Sequence, residues 1–335
     1  MKRVYHSVFL PSLVASGCFH LVRACQRQYV LILMYHGVLG ENDPLHEATN
    51  NNHVEINAFI WQMEFLKEHY TLISLEEFVM RLRGGAKLNG LAAITIDDGY
   101  RNIYSNASPI LVKLGIPATI CLITGLVGTS QLTWYDTVEV ALQNTQEQNI
   151  TLEGRNYDLM KNCRSAIKEI KAKLKTMPAD ARLDFIAQLV DMTGAIGVEN
   201  NENYRLMNWE EVQNLHSNGM SFGVHTYSHP NLPTVAFSDL EHEIDGSTHE
   251  LADRLSAPIE KLCFSYPDGD YNRLIRDRVE NLGVYGAVVV KNALVGPNAD
   301  PFAIPRVVVD RPLTSAMFED ATAGFTRGIK RLISR

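Results

Sequence analysis

Residues 95–100 read TIDDGY, which sets two adjacent carboxylates, Asp97 and Asp98, at the end of the apolar run 91–96 and just ahead of a glycine. That run is short and does not alternate polar with apolar residues, which is how a strand buried on both faces reads. Asp-Gly is a common turn signal, so one reading of the pair is simply the polar opening of a turn. The other is a chemical site at the end of a buried strand, and it requires partners from elsewhere in the chain.

Six more runs of the same kind occur at 29–36 (YVLILMYH), 117–124 (PATICLIT), 220–225 (MSFGVH), 261–267 (KLCFSYP), 284–290 (VYGAVVV) and 304–310 (IPRVVVD). Helical patterns lie between several of them, at 56–70, 102–115 and 208–219. The last opens on Asn208 with Glu211 three residues on, a capping-box signature, and closes on Gly219. Alternating strands and helices predict an α/β fold, either a barrel or an open doubly wound sheet. Residues 128–204 break the rhythm. They are charged, helix-prone and poor in strand runs, and they read as a helical insertion.

The 335 residues allow one large domain or two modest ones, with ample chain for a core. A formal net charge of −7 argues against general nucleic-acid binding. The five cysteines are odd in number and widely spaced, which suggests neither a disulfide framework nor a thiolate zinc site. Residues 1–28 have a basic start, an apolar stretch and small residues before Cys18, but His6, Ser7 and Pro11 interrupt the apolar core. Leu10, Leu13, Val14, Leu21 and Val22 fit one helical face instead, so the segment is read as a retained amphipathic extension. Export or lipid anchoring at Cys18 is the alternative. Residues 313–335 read as a basic helix: Arg327, Lys330, Arg331 and Arg335 have no acidic neighbour, and Phe325, Ile329, Leu332 and Ile333 recur at helical spacing. Basic termini on an acidic protein suit peripheral contact with an anionic membrane surface, so the expected location is cytoplasmic or peripheral at a membrane. No run of about 18 apolar residues exists to span one.

The partners of the aspartates lie in HTYSHP, residues 225–230. Pro230 biases His229 away from helix and a strand precedes His225, so both imidazoles sit where a strand runs out into a loop. One Asp with two His makes a three-ligand metal site with open positions, the ligand economy of a catalytic ion. A metal-bound water becomes acidic enough to attack at neutral pH, but its proton needs an acceptor. Asp98 at the metal and Asp97 at the proton would divide that work around one water.

TIDDG, the HTYSHP segment and FSYPDGDY (264–271) together resemble the first three motifs of the polysaccharide deacetylases, the carbohydrate esterase family 4 or NodB homology domain. The resemblance covers roughly residues 29–127 and 205–312 and leaves 128–204 outside. It implies a distorted (β/α)7 TIM-like barrel and hydrolysis of N-acetyl groups on an N-acetylated oligo- or polysaccharide. By the same resemblance Asp97 is the catalytic base, and Asp98, His225 and His229 bind a divalent metal ion, usually Zn2+. The backbone N–H of Asp268, after Pro267, falls at the family's oxyanion donor.

Two departures stand out. The family's third motif often carries Arg two residues before the proline, where this chain has Ser265; Arg306, in the last predicted strand, is the candidate replacement near Asp97. No C-terminal Leu-x-His motif supplies the usual general acid. Instead LMYHGV, near the start, resembles the poly-N-acetylglucosamine deacetylase branch, where an early histidine takes that role, here His36. His36, Asp97, His225 and Pro267 all fall at or just after strand ends, the face that carries the active site in such barrels. Trp134 and Tyr135 are candidates for stacking on a sugar, Tyr266 and Tyr271 read equally as packing residues, and His46, His53 and His216 read as structural or exposed. The competing functions are a non-catalytic glycan-binding module, which would not need both aspartates, and a two-His-one-carboxylate iron oxygenase, whose usual His-x-Asp pairing is absent.

Overall fold

The computed structural model describes residues 9–41, 43, 45, 52–195, 204–311 and 313–326. Helices α1 (Leu10–Ala15) and α2 (Cys18–Cys25) lead into strand β1 (Leu31–Tyr35) and the short parallel pair β2 (Gly37–Leu39) and β3 (His53–Glu55). Helix α3 (Ile56–His69), β4 (Thr71–Ile73), α4 (Leu75–Arg83), β5 (Leu91–Ile96), α5 (Ser108–Leu114) and β6 (Thr119–Leu122) follow. Next come α6 (Trp134–Gln143), a hairpin of β7 (Asn149–Leu152) and β8 (Arg155–Asp158), α7 (Leu159–Lys175) and α8 (Ala179–Thr193). The chain then runs through α9 (Trp209–Ser217), β9 (Ser221–Val224), α10 (Ser247–Leu255), β10 (Cys263–Ser265), α11 (Arg273–Asn281) and β11 (Gly286–Val289). Strands β12 (Ile304–Pro305) and β13 (Val307–Val308) and helix α12 (Ser315–Ala323) complete it.

All seven apolar runs form strands, and every pairing in the main sheet is parallel. The order β12-β11-β10-β9-β6-β5-β1-β13 closes the sheet through the last run. Its first half pairs with β11 and its second half with β1, and Arg306 stands between the halves. The fold is thus the expected seven-stranded (β/α) barrel, with one addition. Strand β5 pairs with β4 along residues 91–93 and with β6 along 95–96, so β4 fills the part of that edge which β6 does not reach.

Strand alternation divides the core. Leu31, Leu33 and Tyr35 of β1 join Phe59 and Met63 of α3 in the layer between barrel and helices. Ile32 and Ala93 belong to a second cluster with Phe78 and Val79 of α4. Ala93, Thr95 and Asp97 follow one another at period two, so the face that carries Ala93 delivers Asp97 at the strand's end.

Three expectations are corrected. Residues 128–204 are not helical throughout, because β7 and β8 form an antiparallel hairpin. Its turn residues Glu153 and Gly154 both have positive φ, 48° and 79°, the backbone of a tight two-residue hairpin turn. The strands NITL and RNYD are too polar to stand out as apolar runs. The amino-terminal extension is two helices instead of one continuous helix: Gly17, at φ 71°, turns the chain between them. Leu10 and Phe19 are buried against Ala316 and Ala323 of α12, whereas Leu21 is 72% exposed and leaves the shared face expected of it. Strands β2, β3 and β4 have three residues each and add to the seven strands expected from the apolar runs.

His6, Ser7, His46, Arg327, Ile329, Lys330, Arg331, Leu332, Ile333 and Arg335 lie outside the described residues. Among the described residues no helix is long and apolar enough to cross a membrane.

Candidate functional site

Adjacent residues of a strand point to opposite faces, so Asp97 and Asp98 could share a site only if the extended backbone stops by Asp98. It does. Asp98 takes φ 71° and Gly99 φ 90°, which turns the chain and brings the second carboxylate round beside the first. Of the six described non-glycine residues with positive φ, four lie in the site loops: Asp98, Thr226, His229 and Asp268. Each such conformation costs about 1–3 kcal/mol, and strain of that kind collects where geometry serves function.

Asp97 is 1% exposed and Arg306 is wholly buried. The guanidinium grips the carboxylate at both oxygens, Nη1 to Oδ1 at 2.8 Å and Nη2 to Oδ2 at 2.7 Å. Nη1 also donates to Thr95 Oγ1 at 3.0 Å and Nη2 to Ser265 Oγ at 3.1 Å, while Nε points at the Val289 carbonyl at 3.5 Å. All five donors therefore face an acceptor, the condition under which a buried ion pair is tolerable. Ser265 closes the ring by donating to Asp97 Oδ2 at 3.2 Å. A small hydroxyl at Ser265 leaves room for a guanidinium that arrives from the closing strand.

Burial alone would raise the pKa of Asp97; Arg306, then His225, more than offset it and hold the group down at about 2. Asp98 is likewise lowered, burial being outweighed by the neighbouring His225, His36 and His229.

Asp98, His225 and His229 are buried, and one ligand atom from each lies within 4.8 Å of the others. Asp98 Oδ1 is 3.4 Å from His225 Nε2 and 3.7 Å from His229 Nε2, and it has no hydrogen-bond partner. His225 Nδ1 lies 2.8 Å from the Ser265 carbonyl, which can only accept, so Nδ1 carries a proton and Nε2 is the nitrogen turned to Asp98. An orphaned buried carboxylate oxygen between two imidazole nitrogens fits a divalent cation of the Zn2+ type. The His229 loop is held by Glu243, which accepts from the backbone N–H groups of Tyr227 at 3.1 Å and Ser228 at 2.9 Å.

One cleft of about 520 Å³ is lined by His36, Asp97, Asp98, His225, His229 and Asp268, and by both Trp134 and Tyr135. Arg306 lies beneath it, in contact through Asp97. Tyr266 is fully buried and stacks on Tyr271 at 4.7 Å, a packing role outside the cleft. His53 is buried with Nδ1 2.8 Å from Asn52 Oδ1, and His216 Nδ1 lies 3.3 Å from the Met220 carbonyl. A cavity of about 640 Å³ at the opposite end of the barrel contains none of the site residues, so volume alone does not locate the chemistry.

The segment left outside the motif resemblance reaches into the site at three points. Trp134 Nε1 donates to the His229 carbonyl at 3.1 Å, Lys175 Nζ lies 3.0 Å from Asp268 Oδ1, and Asn231 Nδ2 donates to the Lys175 carbonyl at 2.9 Å. Lys168, Lys171 and Lys175 of α7 also line the cleft, as does Asp310. Asp310 carries the signal that singled out Asp97, an acidic residue at the end of an apolar run. The lysines and Glu243 carry no local signal, because a charged helix reads as a solvated one.

A family model described as polysaccharide deacetylase matches residues 85–287. Among curated proteins, the poly-β-1,6-N-acetyl-D-glucosamine N-deacetylase of Staphylococcus epidermidis is 32% identical over 115 residues, 31% of this chain and 39% of that protein. The enzyme of the same description from Staphylococcus aureus is 39% identical over 79 residues, 23% of this chain and 27% of its own. The chain thus aligns with well under half the length of these curated relatives. Among solved structures, the Streptococcus pyogenes deacetylase PplD in complex with acetate superposes with a TM-score of 0.58 at 18% identity, covering 88% of this chain and 98% of that one. IcaB from Ammonifex degensii gives 0.56 at 17% identity, covering 90% and 97%. At these identities the superpositions speak to the fold alone, and it is the same barrel.

Proposed function

We propose that this chain, which belongs to the polysaccharide deacetylase family, hydrolyses the N-acetyl groups of an N-acetylglucosamine-type glycan and releases acetate. The substrate class is carried over from the relatives named for poly-β-1,6-N-acetyl-D-glucosamine. The observation that carries the reading is the pairing of two unlike carboxylates. Asp97 is locked to Arg306, whereas Asp98 keeps an unpartnered oxygen between two histidines.

In this reading Asp98, His225 and His229 hold a divalent ion, Zn2+ being the usual one, which when bound acidifies water and polarises a carbonyl. Asp97, kept ionised by Arg306, accepts the proton of the water whose oxygen bonds to the acetamide carbon. The bidentate grip also fixes the carboxylate's orientation, so no reorganisation is needed as the proton arrives. The backbone N–H of Asp268 donates to the oxyanion that forms, and the left-handed turn at Asp268, φ 56°, aims it. Collapse breaks the C–N bond, and His36 gives its proton to the departing nitrogen, leaving a free amine on the sugar and acetate in the cleft. Trp134 and Tyr135 offer apolar ring surface to a pyranose.

The test is acetate release from β-1,6-linked N-acetylglucosamine oligomers by the purified protein, before and after chelation and after Zn2+ is restored. Release that chelation stops and Zn2+ recovers is expected. Chelator-insensitive release would contradict the ligand assignment, and no release from any N-acetylated oligomer would contradict the function.

A further inference from the structure

One wall of the cleft is the α7 helix. Ala166, Ile167, Ile170 and Leu174 turn into the insertion's own core, and the side facing the cleft presents Lys168, Lys171 and Lys175, three and four residues apart. Lys171 is paired with the buried Glu139 at 2.6 Å, and Lys175 with Asp268. Lys168 is exposed and has no carboxylate partner among the described residues. Lys168 thus stands as an unmatched cation on that wall, on a chain whose formal net charge is −7. A neutral acetamido sugar offers no anion for it, and a glycan already rich in free amines would be repelled by it.

Resting on the glycan reading above, we infer that the cleft selects a glycan with an anionic group, a carboxylate or a phosphate ester, close to the N-acetylated sugar. Lys168 is the free cation that meets the anion. Lys171 and Lys175 are tied to Glu139 and Asp268 and leave that contact to Lys168. The Asp97 charge is matched by Arg306, so it does not cancel that of Lys168; the cleft's other carboxylates outside these pairs are Asp98, at the histidines, and Asp310. The attraction acts across a partly solvated cleft, so it weakens with salt.

Calorimetric titration of the full chain with Zn2+ present, at low salt, tests this with three oligomers. One is the neutral β-1,6-linked N-acetylglucosamine trisaccharide, the second carries a phosphate at its reducing end, and the third has glucuronate in place of one terminal sugar. At least one anionic oligomer is expected to bind about tenfold tighter than the neutral one, the effect of a charge-assisted contact. The arm that gains identifies the anion. Lys168→Glu, an exposed substitution whose folding is checked by its melting temperature, should abolish the preference, as should about 0.5 M salt. Equal or tighter binding of the neutral oligomer, or a preference that survives in Lys168→Glu, would overturn the inference. Acetate measured in the same samples reports on the deacetylase reading separately, because binding preference and turnover can fail independently.

Discussion

The floor and the wall of the cleft hold their charges in opposite ways. On the floor, Arg306 is wholly buried and Asp97 almost so, and every guanidinium donor is assigned. On the wall, Lys175 keeps 40% of its side chain exposed and is paired with Asp268 at 3.0 Å and Asp270 at 3.9 Å. A buried pair is held by the cost of breaking it, whereas an exposed pair is screened and contributes little. The floor is therefore built to fix one geometry, and the wall to adapt to what enters.

The sharpest way to break that contrast is to remove the buried cation. Arg306→Leu leaves Asp97 ionised and unpaired in the interior, and urea unfolding should show a loss of about 3–5 kcal/mol. A loss under 1 kcal/mol would mean that the pair behaves like an exposed, screened one.

A second prediction probes the seam between barrel and insertion, where Asp136 of α6 accepts hydrogen bonds from Tyr100 at 2.6 Å and Thr133 at 2.7 Å. Burial dominates there and raises its pKa from 3.8 to about 7, despite Lys171 and these two donors. Between those two values the folded state keeps a proton that the unfolded chain has released. Stability should therefore fall as pH rises from about 4 to about 7 and level off beyond, by on the order of a few kcal/mol. Melting curves of Asp136→Asn across the same range should lack this component of the slope.

The next effect is smaller. Trp134→Phe keeps a ring but deletes the N–H that holds the His229 carbonyl, and supporting contacts of metal ligands are worth about 10–100-fold in affinity. A competition titration should show Zn2+ binding weakened by about tenfold, near the lower end of that range. The smallest effect belongs to the wall: Lys175→Ala should change stability by less than about 1 kcal/mol.

The same contrast explains what the sequence revealed. Strands buried on both faces announce themselves as apolar runs, and the ends of those runs bring His36, Asp97 and His225 to one rim. Strands of three residues, such as β4, are too short to show a pattern, and the polar hairpin at 149–158 shows the wrong one. Arg306 could be suspected because the position that often carries arginine holds Ser265, but its bidentate grip depends on how the closing strand divides. The lysines of α7 were invisible as site residues because their role depends on tertiary placement. Glu243, which meets the His229 loop from more than ten residues away in sequence, was invisible for the same reason.

The central claim is that Asp97 and Asp98, adjacent in sequence, do different work. Metal content and acetate release measured side by side on Asp97→Asn and Asp98→Asn test it most directly. Asp97→Asn should retain Zn2+ near the wild-type level while acetate release falls by about 10²–10⁴-fold, the range of general-base catalysis. Asp98→Asn should lose the metal. Acetate release near wild type by Asp97→Asn, or Zn2+ retained by Asp98→Asn and lost by Asp97→Asn, would contradict it.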